Sequence, residues 1–205
     1  MREQSLFYKI MKKLKDFTTI RLGMAFKSAI KDVGDKGIVS LIQAKDIQPE
    51  GLESSFSPPV VTPESNPSNH IIRKGEILIR LRGPVFSSIV FNEDYDAVTT
   101  NQVAVITCDP SKVNPNYLNW YLNSKHGKRF FQSKNEGTNI NKISSTALGE
   151  MKINLPNLEE QQKIADIQKN WLQQREIYQR LISTGDIMNQ GICDAIYTGK
   201  TNGKH

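Results

Sequence analysis

The C-terminal part of the chain carries the feature that most constrains its fold, a heptad repeat within a helical segment. Asn157 is suited to cap this segment after Pro156, and Glu160, three residues on, completes a capping-box-like pattern. Two rows of residues then repeat every seven positions: Ile164, Trp171, Tyr178, Gly185 and Ile192 in the first, and Ile167, Gln174, Leu181, Met188 and Ala195 in the second. This spacing predicts a long helix with an apolar seam of the coiled-coil type.

Such a seam is compatible with two arrangements, a helix packed along its own domain or a helix paired with another helix. About 39 residues at 1.5 Å each would extend about 60 Å, which is longer than a domain of this size is wide. The helix is also the last element that the sequence predicts. We therefore expect it to pair, through Ile164, Ile167, Trp171, Tyr178, Leu181, Met188 and Ile192.

The residues before the helix predict a strand-rich domain with short helices. Between Lys74 and Gly83, apolar residues at 77, 79 and 81 alternate with 78, 80 and 82, as in a strand with one apolar face. Asn114 followed by Pro115 predicts a helix start, and the helix is expected to reach about Gln132, with a possible interruption near Gly127. A short N-terminal helix is expected over 3–14. The fold class is therefore α+β, with one domain over 1–156 and a long helix with a C-terminal tail over 157–205.

Composition narrows the functional classes. The 205 residues carry a net charge of +6, a basic excess that is compatible with nucleic-acid binding. No apolar run approaches the length of a membrane span, and no signal peptide is predicted. Cys108 and Cys193 are far apart and have no ligand-like spacing, so we expect reduced thiols in a cytoplasmic protein. The three histidines are scattered, and neither a metal nor another cofactor is expected.

Motifs of catalysis are missing from the sequence. It contains neither a glycine-rich phosphate loop nor a G-x-G-x-x-G segment after a strand. The acidic stretch "NEDYD", with Glu93, Asp94 and Asp96, has no accompanying lysine motif and is interpreted as a solvated turn. A binding protein is therefore favoured over an enzyme, although a nuclease that uses this stretch remains an alternative.

For a nucleic-acid partner, the candidate contacts are polar residues in predicted strand ends and loops, where side chains can reach phosphates or base edges. Each has a simpler interpretation: Arg80 and Arg82 as a solvated strand face, Ser87 and Ser88 as turn residues, Asn101 and Gln102 as partners of nearby backbone. A loop at 137–144 is rich in hydrogen-bonding groups. The candidates are Arg80, Arg82, Ser87, Ser88, Asn101, Gln102, Thr138, Asn139, Asn141 and Lys142.

Several stretches together resemble the DNA specificity subunit of type I restriction-modification systems. They are "KGEILIRLRG", "YLNWYLNSKHGKRFFQSKNEGTNINKIS" and the junction "INLPNLEEQQKI", with "KLKDFTTIRLGMAF" and "VSLIQAKDI" near the start. Each piece alone is weakly specific, but their order and spacing cover nearly the whole chain. The junction departs from the family in one respect, since an asparagine stands where a second proline is frequent.

The resemblance implies a target recognition domain that reads double-stranded DNA, joined to a spacer helix. It also adds Lys45 to the candidate contacts, since Lys45 resembles a position near the DNA face in the family. The usual subunit holds two such units with antiparallel helices, whereas this chain resembles a half-length or a truncated form. It therefore implies a noncatalytic homodimer that recognises a bipartite inverted target and docks methyltransferase subunits and, through them, the restriction motor subunit. A stand-alone DNA-binding regulator derived from such a subunit, or an assembly scaffold that no longer reads sequence, remains an alternative.

Overall fold

A computed structural model describes residues 11–27, 30–52, 56–134 and 142–199. The chain divides into two compact units, the first ending at Ala165 and the second beginning at Asp166. The first unit therefore extends two helical turns past the predicted boundary at Pro156, because Gln161 and Ala165 are buried. None of the helices in the described ranges combines the length and hydropathy that a membrane span needs.

The described elements agree with the predicted class, a strand-rich domain with short helices and one long final helix. The strands are β1 (Met11–Lys13), β2 (Thr18–Leu22), β3 (Val39–Ile42), β4 (Val60–Val61), β5 (Ile77–Arg80), β6 (Ser88–Val90), β7 (Ala97–Thr99), β8 (Val103–Cys108) and β9 (Lys152–Asn154). The helices are α1 (Pro115–Asn123), α2 (Lys125–Ser133), α3 (Ser145–Gly149) and α4 (Leu158–Tyr197).

The first unit is built in layers around a four-stranded sheet of order β2-β8-β5-β6, whose neighbouring strands are all antiparallel. One face packs on α1, α2 and α3 in the larger hydrophobic core, which includes Ile79, Ile106, Leu118 and Leu148. The other face packs on the three-stranded sheet β4-β3-β7, in which β3 and β7 are parallel.

Strand β5 corrects one prediction from the sequence, because it is buried on both faces. Ile77 and Ile79 belong to the core under the helices, while Leu78 is fully buried in the second core. The expected polar face begins only at Arg80, which is partly exposed. A strand that is covered on both sides has a nearly continuous apolar sequence, and this matches "ILI".

The N-terminal helix is a second correction within the part of the chain that the structure describes. Met11–Lys13 is a strand paired with β9, and Leu14–Asp16 is a 3₁₀ turn. Residues 1–10 lie outside the described residues. Leu14 is fully buried, so the apolar spacing that predicted a helix includes a true core residue.

Helix α1 connects the central sheet to the start of α4. Asn114 caps α1 by accepting hydrogen bonds from the backbone of Asn116 and Tyr117, as predicted. The hydroxyl of Tyr117 donates to the Asn154 carbonyl at 2.6 Å, and burial raises its pKa to about 12. The helix ends at Asn123, a few residues before the interruption that was expected near Gly127.

Gln161, in the first turn of α4, is fully buried and bonded through both ends of its amide. Its Nε2 donates to the carbonyls of Lys112 at 3.1 Å and Pro156 at 2.8 Å, and its Oε1 accepts the Asn114 amide at 2.8 Å. The Asn157 side chain caps the helix by accepting from the Glu160 amide at 2.9 Å. One glutamine thus fixes the beginning of α4 against the beginning of α1.

Replacing Gln161 with leucine should lower the free energy of unfolding by about 3 kcal/mol, because three partly buried backbone groups lose their partner and an amide is lost from a buried site. Urea unfolding of the purified protein measures the effect. Gln173→Leu, at an exposed position of the same helix, is the matched control and should change stability by less than about 0.5 kcal/mol. Equal losses in the two variants would contradict the role given to the buried amide.

Candidate nucleic-acid interface

The end of the β5–β6 hairpin gathers residues from distant parts of the sequence. The Arg80 amide donates to the Ser87 carbonyl at 3.0 Å, which closes the hairpin. Beyond it, Arg82 forms a β-bridge with Lys142, and the Ile143 amide donates to the Leu81 carbonyl at 3.0 Å. The exposed side chains of Arg82 and Lys142 are therefore held together by backbone pairing across 60 residues of sequence.

The turn between β7 and β8 joins the same end of the sheet. The Leu81 amide donates to the Gln102 carbonyl at 2.8 Å, and the Asn101 amide donates to the Met24 carbonyl at 2.9 Å. The side chains of Asn101 and Gln102 are exposed and make no hydrogen bond to a described residue. The simpler interpretation, that these side chains satisfy nearby backbone, does not hold within the described ranges.

A third loop reaches the hairpin from the other core. The Ser87 hydroxyl donates to the Ile47 carbonyl at 2.7 Å, which brings the 3₁₀ turn Ala44–Asp46, with exposed Lys45, beside the hairpin. We call the resulting set the sheet-end surface. It consists of Lys45, Arg80, Arg82, Asn101, Gln102 and Lys142.

The sheet-end surface is positively charged, and acidic side chains of the described residues do not neutralise it. None of its four cationic side chains forms an ion pair with a described residue. The Arg80 Nε is buried and has no hydrogen-bond partner in the described part of the chain. A guanidinium that is held partly buried and unpaired is suited to bind a planar acceptor such as a guanine edge.

Gly83 makes room for that guanidinium. Its φ of 127° lies in the region that favours glycine, and a Cβ there would stand 2.7 Å from Arg80 Nη2. The glycine therefore allows both the turn of the hairpin and the close approach of the arginine.

Gly83→Ala is expected to destabilise the fold by about 1–3 kcal/mol through backbone strain and to weaken DNA binding by displacing Arg80. Gly75→Ala is the matched control, because Gly75 has a φ of 88° but no atom within 4 Å of the added Cβ. Thermal unfolding and fluorescence anisotropy with a bound duplex separate the two effects. The idea fails if Gly75→Ala weakens DNA binding as much as Gly83→Ala.

Two predicted contacts lie in the interior instead of on this surface. Ser87 and Ser88 are buried, and the Ser88 hydroxyl donates to Asn119 Oδ1 at 2.8 Å while its amide donates to Asn123 Oδ1 at 3.0 Å. These bonds attach β6 to α1. We therefore leave both serines out of the proposed DNA contacts, because a hydroxyl that is already bonded in the interior is unavailable to a phosphate.

Three further candidates, Thr138, Asn139 and Asn141, lie outside the described residues and stay predictions. Lys142 is the first described residue after them, and it forms the bridge to Arg82.

The acidic turn does not resemble a metal site in the described residues. Asp94 is exposed and pairs with Lys74 at 2.5 Å, and Glu93 and Asp96 are also exposed. Within the described ranges, no group of three histidine, cysteine or acidic side chains could hold a metal ion.

The predicted seam of α4 is divided between the two units. Ile164 is partly buried and packs against the core of the first unit, and its place in a pairing seam stays a prediction. In the second unit the remaining seam residues are exposed: Ile167, Trp171, Tyr178, Leu181, Met188 and Ile192.

Exposed apolar residues outside the two heptad rows widen the seam. Ile182 follows Tyr178 by four positions, Ile196 follows Ile192 by four, and Ile177 precedes Leu181 by four. Residues at this spacing share a helix face. Their four-residue spacing in the sequence indicates that they belong to this face, although they lie outside the two heptad rows.

Comparison with known proteins identifies one family and three solved structures of similar fold. A family model described as the type I restriction modification DNA specificity domain matches residues 8–184. No curated protein sequence matches significantly.

Three solved structures share the fold. One chain comes from a study of complex assembly and conformational transition of the type I restriction-modification system, with a TM-score of 0.66, 21% identity, 90% of this chain covered and 44% of that one. The HsdS subunit of Thermoanaerobacter tengcongensis gives a TM-score of 0.57 at 24% identity, and the match covers 80% of this chain and 37% of that chain. The S subunit from M. genitalium gives a TM-score of 0.61 at 15% identity, and the match covers 98% of this chain and 49% of that chain. The chain thus spans less than half the length of these relatives.

Proposed function

The chain belongs to the type I restriction-modification DNA specificity family, and from this premise we propose that it is the noncatalytic subunit that reads the DNA target. The observation that carries the proposal is the sheet-end surface, where Arg80, Arg82 and Lys142 are held together without acidic partners among the described residues. Lysine and arginine at such a surface bind phosphates, and arginine can also bind guanine through two hydrogen bonds. Asn101 and Gln102 add amides, which are suited to adenine.

We further propose that two copies pair through α4. The exposed seam of the second unit, with Trp171 and Tyr178, is the apolar surface that such pairing would bury. A two-fold dimer presents its two recognition domains in opposite orientations. Its target would therefore be two identical half-sites in inverted orientation, separated by a spacing that the paired helices set.

The proposal includes methyltransferase subunits as partners, with the restriction motor subunit bound through them, acting on DNA in the cytoplasm. The width of the apolar stripe supports a further helical partner, because Ile177, Ile182 and Ile196 flank the heptad seam. A two-helix coiled coil buries a narrower stripe of two positions in seven. The catalytic and motor activities would reside in those partners.

Selection of bound sequences from a randomised duplex library tests the reading of DNA. The protein should enrich a defined motif near physiological salt, alone or with the methyltransferase subunit. If affinity only decreases as the salt concentration rises and no motif is enriched in either condition, the proposal is overturned. Enrichment without any binding of methyltransferase would instead favour a stand-alone DNA-binding regulator.

A further inference from the structure

Helix α2 carries an exposed basic face that the sheet-end surface does not include. Lys125, Lys128 and Arg129 are exposed, and their spacing of three and four residues puts them on one side of the helix, together with Gln132. The opposite side is buried through Gly127 and Phe131. None of the three cations forms an ion pair with a described residue.

The sequence around the helix is free of negative charge. No aspartate or glutamate occurs between Asp109 and Glu136. An exposed helix usually mixes both signs, because pairs of opposite charge at this spacing stabilise it. On α4 such pairs occur, for example Glu176 with Arg180 at 2.6 Å. The basic face of α2 therefore lacks the local partners that stabilise an ordinary solvated face.

The position of α2 is fixed by its contacts with the β5–β6 hairpin. Phe131 stacks on Phe86, with ring centroids 4.7 Å apart, and Phe86 lies in the hairpin loop between Arg82 and Ser87. At the other end, Asn123 immediately precedes the helix cap and is bonded to Ser88 through its Oδ1 at 3.0 Å and its Nδ2 at 2.8 Å. The helix thus lies along the same hairpin whose end carries Arg80 and Arg82.

We propose that the basic face of α2 binds the phosphate backbone of the DNA whose bases the sheet-end surface reads. From Lys125 to Arg129 the helix advances about 6 Å, while phosphates of one strand follow every 3.4 Å or so along the DNA axis. The three side chains can therefore contact consecutive phosphates of one strand. Such contacts fix the register of a protein on the duplex without carrying sequence information.

The inference rests on the proposed DNA binding and adds to it separate roles for the sheet-end surface and for α2. The hairpin end supplies sequence preference, and α2 supplies affinity that is independent of sequence and sensitive to salt. Charge at α2 should therefore change how binding depends on salt, whereas it should leave the preferred sequence unaltered.

The test is a salt titration of duplex binding with the triple variant Lys125→Gln, Lys128→Gln, Arg129→Gln. On a duplex that carries a single half-site, the slope of log K against log salt should become shallower by about 2 to 3, since each lost phosphate contact removes about 0.9. Affinity near physiological salt should fall on the order of 10- to 100-fold. The motif that the variant selects from a random library should be the same as that of the unchanged protein.

Two controls isolate the position of the charges. Lys36→Gln, Lys152→Gln, Lys169→Gln removes the same charge from exposed sites elsewhere and should leave the slope within about 1 of the unchanged protein. Lys125→Arg, Lys128→Arg, Arg129→Lys keeps the charge and should keep the slope. Circular dichroism of each variant establishes that α2 is still folded.

The possible results separate this inference from the proposed function. If the triple variant keeps the slope while the protein still selects a motif, the α2 contact is wrong and DNA reading stands. If both charge-removing triple variants lose slope equally, overall charge is responsible and the contact is also wrong. If the unchanged protein binds no duplex at any salt concentration, the proposed function and this inference fail together.

Discussion

Trp171→Glu combined with Tyr178→Glu is expected to leave the chain folded but monomeric. Both side chains are more than half exposed in the single chain, so neither supports the fold of its own unit. In a paired helix they would occupy the apolar seam, and the variant would bury two carboxylates per chain without partners. Buried unpaired charges are costly. The dimer dissociation constant should rise by at least about 1,000-fold, which corresponds to about 4 kcal/mol.

Sedimentation velocity at micromolar concentrations measures the change. The matched control is Gln179→Glu with Ser183→Glu, which adds the same charge to exposed positions on the opposite side of the helix. The control should remain dimeric. A dimeric Trp171→Glu, Tyr178→Glu variant would show that α4 does not pair through this seam.

Arg80→Ala and Arg82→Ala are expected to lower affinity for the selected target and to relax its sequence. An arginine that makes two hydrogen bonds to a guanine contributes about 1–3 kcal/mol of discrimination. In a two-fold dimer each substitution acts at both half-sites, so target affinity should fall by about 2–6 kcal/mol. Binding to random duplex should change far less, because phosphate contacts dominate it.

Competition binding with the selected target and with single-base variants of it measures both quantities. Arg73→Ala is the matched control, since Arg73 is exposed and lies outside the sheet-end surface. It should retain the target preference. If Arg80→Ala and Arg82→Ala lose affinity for target and random duplex alike, the two arginines contact phosphates and do not read bases.

The sequence predicted those features that depend on neighbouring residues. Asn114 and Asn157 cap helices in the structure, because a short polar side chain before a helix satisfies free amides wherever the helix packs. The length of α4 also follows from local pattern, and Gly185 does not interrupt it. Order along the chain was sufficient for these elements and for the fold class.

Features that depend on long-range packing were not predictable. The alternation in the sequence assigned Leu78 to a polar face, because no nearby residue indicates the second sheet that covers it. Ser87 and Ser88 have the composition of a surface turn, yet Ile47 and Asn119 bond their hydroxyls from 40 and 31 residues away. Likewise, the heptad pattern at Ile164 does not reveal that this turn of the helix packs on its own unit.

The sheet-end surface was predicted in part. Residue type and predicted position identified Arg82 and Lys142 as candidates, and the family resemblance added Lys45. Only the backbone pairing of the hairpin with Lys142 brings Arg82 and Lys142 together. The sequence does not predict that Gly83 leaves space for the Arg80 guanidinium, because this close approach depends on the path of the hairpin.

We propose that one recognition domain per chain and a pairing helix together read two half-sites. The most direct test is the affinity for duplexes that carry the selected half-site as an inverted repeat, with the gap varied one base pair at a time. We expect a sharp maximum at one gap length, lost in direct repeats of the same half-site. Equal affinity for a single half-site and for every inverted repeat would contradict the account.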